Sequence, residues 1–464
     1  MNNYFEHNLP MVAPSYVKGA GQIAKLNNVL PKVIARMEKL EKALSITGLC
    51  GEQFSEAAKI YFSKEAETGG TLIDLWTAEE LAHNVALIAP TMSYTKRMEW
   101  PNAEVVVDTA FVTVKEWEAI RVLGIGGSDA AVVMGISPYR TTQELYHDKI
   151  GTDMKKQDSD SGKEFIFSYG HKVESLVIEE FCRRTGAKPI PETRMFRKKG
   201  MPFITANVDQ FVEIAGKIFI FEAKTTTEHN RDAWQDNKVP VQYIPQCRQY
   251  MATMDDPRIG GVYIGCIYGN TPNDFRCSPI NRDMAKEQAQ LDTEVSFWEN
   301  NVLAGIEPDP SGDPKVDIAL AQRISGYGDI NLPEMQLMED DRVILEEYMA
   351  LADEKAMYEK KKKAVEQRMA QLSLDIILEL GTSTEAMLEI DDDKYINVTY
   401  KPRSLTSVDK EKLQLLYPDV YADVVSVNPE NSRPFSVKVK KYTQKQKKER
   451  DHRFGPRVFI ATIK

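Results

Sequence analysis

The stretch from Met201 to Thr227, MPFITANVDQFVEIAGKIFIFEAKTTT, decides the fold. It reads as two strands on either side of Ala215-Gly216, with Asp209 on the first and Glu222 and Lys224 on the second. Side chains alternate faces along a strand, so Glu222 and Lys224, two apart, project the same way. A hairpin loop of even length, either Ala215-Gly216 or the four residues from Ile214 to Lys217, sets Asp209 opposite Glu222. Their Cβ atoms would then lie roughly 4.5–5.5 Å apart. Two like charges so placed repel, in strands that are otherwise apolar. A divalent cation between them reverses the sign, and hard oxygen ligands suit Mg²⁺ or Mn²⁺. A loop of odd length would put the carboxylates on opposite faces and remove the argument.

Length and composition frame this hairpin. A chain of 464 residues is long enough for two to four domains and a sizeable core. The net charge of -10 argues against a protein that coats nucleic acid generally, and leaves room for a local basic groove. Cys50, Cys182, Cys247, Cys266 and Cys277 show no CxxC spacing and read as buried free thiols in a reducing compartment, with no iron–sulfur cluster expected. No apolar run approaches the ~20 residues of a membrane helix, and MNNYFEHNLP does not read as a signal peptide. The expected location is the cytoplasm, with no membrane partner.

The chain divides by pattern into four regions. Residues 1–112 read as a mainly helical extension; Ile23, Leu26, Leu30, Val33, Met37, Leu40 and Leu44 form a coiled-coil-like seam, with Pro31 interrupting it or marking a first turn. Ala103 to Val112 reads as a strand. The capping box Thr113-Val-Lys-Glu116 opens the main domain, residues 113–310, where helices and strands alternate as in an α/β layer structure. Residues 311–382 hold a Pro/Gly/Asp linker and one long helix. Its row Ile344, Tyr348, Leu351, Lys355, Tyr358, Lys362, Val365, Met369, Leu372 and Ile376 reads as a seam packed on another helix. Residues 383–464 read as a small α+β region ending in a basic tail, Lys438 to Arg457, which is either a solvated run or a DNA contact.

Four further signals flank the hairpin. Arg121 and Ser128 border the turn VLGIGG at a helix start, an arrangement suited to phosphate, or else an ordinary cap after a loop. YGHKVE reads as opening a helix on which Glu174 precedes Val177 and Phe181, so that its carboxylate points to the core side as a metal ligand or a misplaced surface residue. Tyr243, Gln246 and Tyr250 share a helical face; this is either core or, for a buried Gln in need of partners, a contact to substrate phosphate. Arg194, Arg197, Lys198 and Lys199 make a basic strip, solvated or touching a nucleic-acid backbone.

Asp209, Glu222 and Lys224 resemble the core of the PD-(D/E)xK nuclease superfamily. Together RVLGIGGSDAAVVMGISPY, YGHKVE, ITANVDQF, FEAKTTT and VPVQYIPQCRQYM closely resemble the YqaJ/phage lambda exonuclease family of viral recombination nucleases. The resemblance covers residues 113–310. It implies a central mixed sheet flanked by helices, and one Mg²⁺ held by Asp209, Glu222 and the Ala223 carbonyl, with Glu174 helping to hold a second. By the same resemblance Lys224 positions the attacking water, Arg121 and Ser128 hold the 5′-phosphate of a DNA end, and Tyr243 and Gln246 form a supporting YxxQ element. The implied activity is 5′ to 3′ digestion of linear duplex, in a ring-shaped trimer, supplying single strand to an annealing protein of the RecT/Redβ type. The family's proline before the catalytic aspartate is absent here, where Asn207-Val208 precede Asp209. Two other readings stand beside this one: an endonuclease of a defence or restriction system on the same core, and a non-catalytic scaffold that binds DNA ends.

Overall fold

The structure is a computed structural model and describes residues 3–63, 71–154, 160–236, 238–269, 271–326, 332–391, 394–401 and 410–424. The chain forms two compact units, Met1–Gly326 and Tyr327–Lys464.

The first unit opens with helices α1 (Ala20–Thr47), α2 (Gly51–Ser63), α3 (Leu72–Leu75) and α4 (Ala78–Ile88). Then follow strand β1 (Ala103–Asp108) and helices α5 (Val114–Arg121), α6 (Gly127–Val133), α7 (Thr142–Lys149) and α8 (Asp160–Thr185). Strands β2 (Lys188–Ile190), β3 (Arg194–Lys198), β4 (Met201–Ala206), β5 (Gln210–Ile214) and β6 (Lys217–Thr225) lead to α9 (Ile244–Met254). The unit closes with β7 (Ile259–Ile267), β8 (Phe275–Asn281), α10 (Met284–Phe297) and α11 (Pro314–Ser325).

Pro31 lies inside a continuous α1, so it neither breaks nor starts that helix. The expected seam is buried at Leu26, Leu30, Val33, Met37 and Leu40, in a core shared with Phe54, Leu81, Val107, Phe111 and Ile120. The helical segment therefore packs on its own unit, and that core takes in β1 and runs across residue 112 into α5. Arg36, fully buried on the same helix, donates to both Asp74 (2.6 Å) and Glu116 (2.8 Å). Glu116 is also the second member of the Thr113 capping box, which forms as the sequence implies.

The central sheet has the order β2-β5-β6-β7-β8, with β6 and β7 parallel and the other neighbours antiparallel. It is a mixed sheet covered on both faces. Ile218 and Ile220 of β6 face α9 with Cys247, Met251 and Met254, while Phe221 faces Val177 and Phe181 of α8. Burial on both faces is why the strands read as near-continuous apolar runs. A second sheet, β1-β3-β4, abuts the glycine-rich turn through the bridge Ile125↔Ile204.

The β5–β6 hairpin closes on Ala215-Gly216 alone, with Ile214 paired to Lys217. Both loop residues have positive φ, 52° and 78°, as a two-residue hairpin turn requires. The even register is the one found.

Among the described residues the second unit holds α12 (Asp341–Leu380), the hairpin β9 (Glu385–Asp391) and β10 (Lys394–Thr399), and α13 (Lys410–Leu416) and α14 (Pro418–Val424). Of the α12 residues only Leu380 is buried, so among the described residues no partner helix packs along it as expected. The basic run from Lys438 to Arg457 lies outside the described residues.

Candidate functional site

The ladder pairs Gln210 with Phe221, and one step further Asp209 stands opposite Glu222. Asp209 Oδ2 accepts the Ala223 N–H at 2.9 Å, which pins the carboxylate across the strand pair. Glu222 is 1 % exposed. Its Oε1 accepts from Lys224 Nζ at 2.5 Å and from Gln246 Nε2 at 2.6 Å, while its Oε2 is buried without a partner.

Gln246 sits in the first turn of α9 and joins three groups. Its Oε1 accepts from Lys224 Nζ at 3.0 Å, and its Nε2 donates to Glu222 and to the Tyr250 hydroxyl at 2.8 Å. This corrects the expectation of a substrate phosphate as its partner: the side chain is satisfied inside the protein. A buried amide carries donors and an acceptor in a fixed plane, so it can brace a carboxylate and an ammonium at once. Tyr243 belongs to a 3₁₀ turn just before α9; its ring stacks on Trp234 and lies 5.1 Å from Lys224 Nζ.

Charge at this point is strained. Burial, then Glu222 and Glu174, push the Asp209 carboxyl well above the ordinary carboxylate range. Burial alone would lower the Lys224 ammonium, but Glu222 and Asp209 overcome it and hold it above its usual value. Glu174 lies within α8, which begins at Asp160, so YGHKVE continues a helix instead of opening one. That helix passes the end of β6: a Cβ built on Gly170 would lie 3.7 Å from Thr225 Oγ1.

Among the described residues no three side chains of His, Cys, Asp or Glu gather closely enough to cage a metal ion. Mg²⁺ needs no such cage, since it keeps several waters and takes only one or two carboxylates. Two observations fit a hard cation here: the orphaned Glu222 Oε2 and the repulsion concentrated on Asp209.

A second cluster lies beside the first. Arg121 ends α5, its guanidinium 4.7 Å from the Trp117 ring centre, and donates to Ser128 Oγ at 2.7 Å. Asp129, buried under that turn, takes Lys149 Nζ at 2.8 Å, with Arg121 and Arg140 at 3.7 and 3.8 Å. Burial would raise its carboxyl, but Lys149, Arg121 and Arg140 draw it far below the ordinary range. Arg140 is also paired to Asp148 at 3.4 Å, so three cations meet two carboxylates, leaving one positive charge in surplus at a partly open surface. Sequence reasoning missed Lys149 and Arg140. A lysine in the last turn of α7 reads as an ordinary helix-end cation, and nothing local reveals that it is 1 % exposed.

The two clusters touch. A Cβ on Gly127 would fall 2.6 Å from the Tyr250 ring and 3.1 Å from Gln246 Cγ, so only glycine lets α6 settle this close to α9. Gln249 Nε2 ties the turn down from behind, donating to the Ile125 and Thr205 carbonyls at 2.6 and 2.9 Å.

The basic strip does not join them. Arg194 is paired to Glu192 (2.7 Å), Arg197 to Glu104 (2.8 Å) and Lys198 to Asp255 (3.2 Å), so three of its four cations serve the fold; Lys199 is exposed. Cys50 is likewise exposed, against the expectation of burial, whereas Cys247 and Cys266 are buried. No helix among the described residues is long and apolar enough to cross a membrane.

Comparison with known proteins places these clusters in one segment. Residues 116–256 match the model of the YqaJ-like viral recombinase domain. The uncharacterized protein YqaJ of Bacillus subtilis (strain 168) is 28% identical over 327 residues, covering 69% of this chain and 94% of that protein. An alkaline exonuclease (LHK-Exo) from Laribacter hongkongensis aligns in structure over 42% of this chain and 95% of its own, at 18% identity and a TM-score of 0.35. The same enzyme in complex with dAMP aligns over the same shares at 20% identity and a TM-score of 0.34. Asp209, Glu222, Lys224, Gln246, Arg121 and Ser128 all fall within the segment that matches the YqaJ-like viral recombinase domain.

Proposed function

We propose that the protein is a metal-dependent deoxyribonuclease that digests linear duplex DNA from its ends, 5′ to 3′, during recombination. The recombinase domain supports a nuclease role in recombination. The observation that carries the chemistry is the buried, half-satisfied Glu222 facing Asp209, with Lys224 on the same face.

Asp209, Glu222 and the Ala223 carbonyl would hold a divalent ion, Mg²⁺ or Mn²⁺, with Glu174 reaching in from α8. Bound there, such an ion lowers the pKa of water and stabilises charge on the phosphate. Lys224, kept protonated by its carboxylate neighbours, orients the attacking water or meets the negative charge that develops on the scissile phosphate. Gln246 fixes the Lys224–Glu222 geometry, so neither group must reorganise when DNA arrives. Arg121, Ser128 and Arg140 form the receptor for a terminal 5′-phosphate, and contact between α6 and α9 sets that receptor at a fixed offset from the cleavage point. A single-strand annealing protein of the RecT/Redβ type would take up the product strand, and the nuclease would work as a trimer.

Linear and closed circular duplex should be digested side by side with Mg²⁺, each 5′ end labelled in turn. Loss of label as mononucleotide from linear DNA, with the circle intact, is the expected result. Nicking or cutting of the circle would replace this reading with an endonuclease.

A further inference from the structure

Helix α12 carries a row of exposed apolar side chains, and its charges say what should cover it. Ile344, Leu351, Tyr358, Val365 and Leu372 recur every seven residues and are 49–68 % exposed. Lys355, Lys362, Met369 and Ile376 recur at the same interval beside them. A strict seven-residue repeat over five turns of the pattern belongs to a left-handed coiled coil. The seam of α1 is already buried in its own core. We infer that α12 pairs with the α12 of a second copy of this chain, antiparallel, centred between Ala356 and Met357.

The orientation follows from charge. In a parallel pair Lys355 would meet Lys355 and Lys362 would meet Lys362 across the seam, and Glu354 on the flank would face Glu359 of the other copy. All three contacts repel, against one flanking contact that attracts, Lys361 with Glu366. Turning one helix round removes them. With residue numbers summing to 713 across the seam, Lys355 faces Tyr358, Lys362 faces Leu351 and Ile344 faces Met369, each twice. The flanking row then reads Glu347 against Arg368 and Glu354 against Lys361, giving four opposite-charge pairs. Shifting by one heptad, to a sum of 720, sets Lys361 against itself and Glu347 against Asp375. Only the first register satisfies both rows. It overlaps 26 residues, 344 to 369, or roughly 39 Å of helix.

The test is the mass of the full chain by light scattering, with far-UV circular dichroism to verify folding. The variant E347K/E354K makes the flanking row all basic, and K361E/R368E makes it all acidic. Each alone should halve the wild-type mass, taking two trimers joined through α12 to one, and mixing the two in equal amounts should restore it. Two results would overturn the pairing. One is two variants that stay at the wild-type mass. The other is stronger association of E347K/E354K, which is what a parallel pair predicts, because the reversed charge at position 354 would then attract Glu359.

Discussion

Replacing Asp209 by Asn separates what the site does for function from what it does to the fold. Asp209 stands one step beyond the β5–β6 ladder, opposite Glu222, where Cβ atoms lie roughly 5 Å apart, and about 5 Å serves as the charge separation. At an effective dielectric near 20 their repulsion is about 3 kcal/mol. Part of that is offset by attraction to Lys224, which the substitution also removes. The net gain in the metal-free protein should be about 1–2 kcal/mol, or roughly 1–3 °C in Tm for a unit of this size. The amide keeps the structural contact, since its Oδ1 can still accept from Ala223 N–H and its Nδ2 can donate to the orphaned Glu222 Oε2. The gain should widen as pH rises above the ordinary carboxylate range: wild-type Asp209 retains its proton there and feels the repulsion once the proton leaves. The assay is thermal unfolding in chelator and again with Mg²⁺. Wild-type protein should rise with Mg²⁺ as RT ln(1 + [L]/Kd), whereas Asp209→Asn should start higher, rise little and cleave no DNA. A variant less stable than wild type in chelator, or one that keeps the full Mg²⁺ shift, would refute the shared-cation geometry.

The other predictions concern groups around this pair. Arg121→Ala should erase most of the preference for a 5′-phosphate over a 5′-hydroxyl end, a 10- to 100-fold effect corresponding to the roughly 1.5–3 kcal/mol of a charge-assisted contact; equal rates on both ends with the intact protein would reduce the turn to a helix cap. Glu294 of α10 is buried beside Gln290, with Asp129 near enough to add to its burden, and burial pushes its carboxyl up to about 8. The folded state therefore keeps a proton that the unfolded chain loses, and stability falls as pH rises from about 4.5 to 8. Glu294→Gln should match wild type near pH 5 and exceed it by a few kcal/mol near pH 9 in denaturant unfolding; parallel pH profiles would sink the assignment. Arg36→Ala strands Glu116 and Asp74 in the helical core and should destabilise the first unit by about 3–5 kcal/mol. A loss under 1 kcal/mol, read from urea midpoints, would mean the network is not buried as described.

The hairpin was legible because its information is local. Alternation puts Glu222 and Lys224 on one face; the loop length that puts Asp209 there too stayed open in the sequence, because alanine seldom takes the positive φ of Ala215, and the Ile214–Lys217 pairing supplied it. The Thr113–Glu116 capping box is legible for the same reason: donor and acceptor lie three residues apart. What the sequence could not disclose depends on partners far along the chain. Gln246 looked available for substrate until Glu222 and Lys224, more than twenty residues earlier, were seen to saturate it. The strip from Arg194 looked like a nucleic-acid contact until carboxylates from Glu192, Glu104 and Asp255 closed on it. Lys149 and Asp129 read as ordinary helix-end charges, and only the packing of α6 against α7 buries them together. Alternation acts over a few residues, so sequence alone determined that Glu222 and Lys224 share a face. Desolvation depends on every element that packs around a group, so tertiary structure alone decided which charges remain free to act.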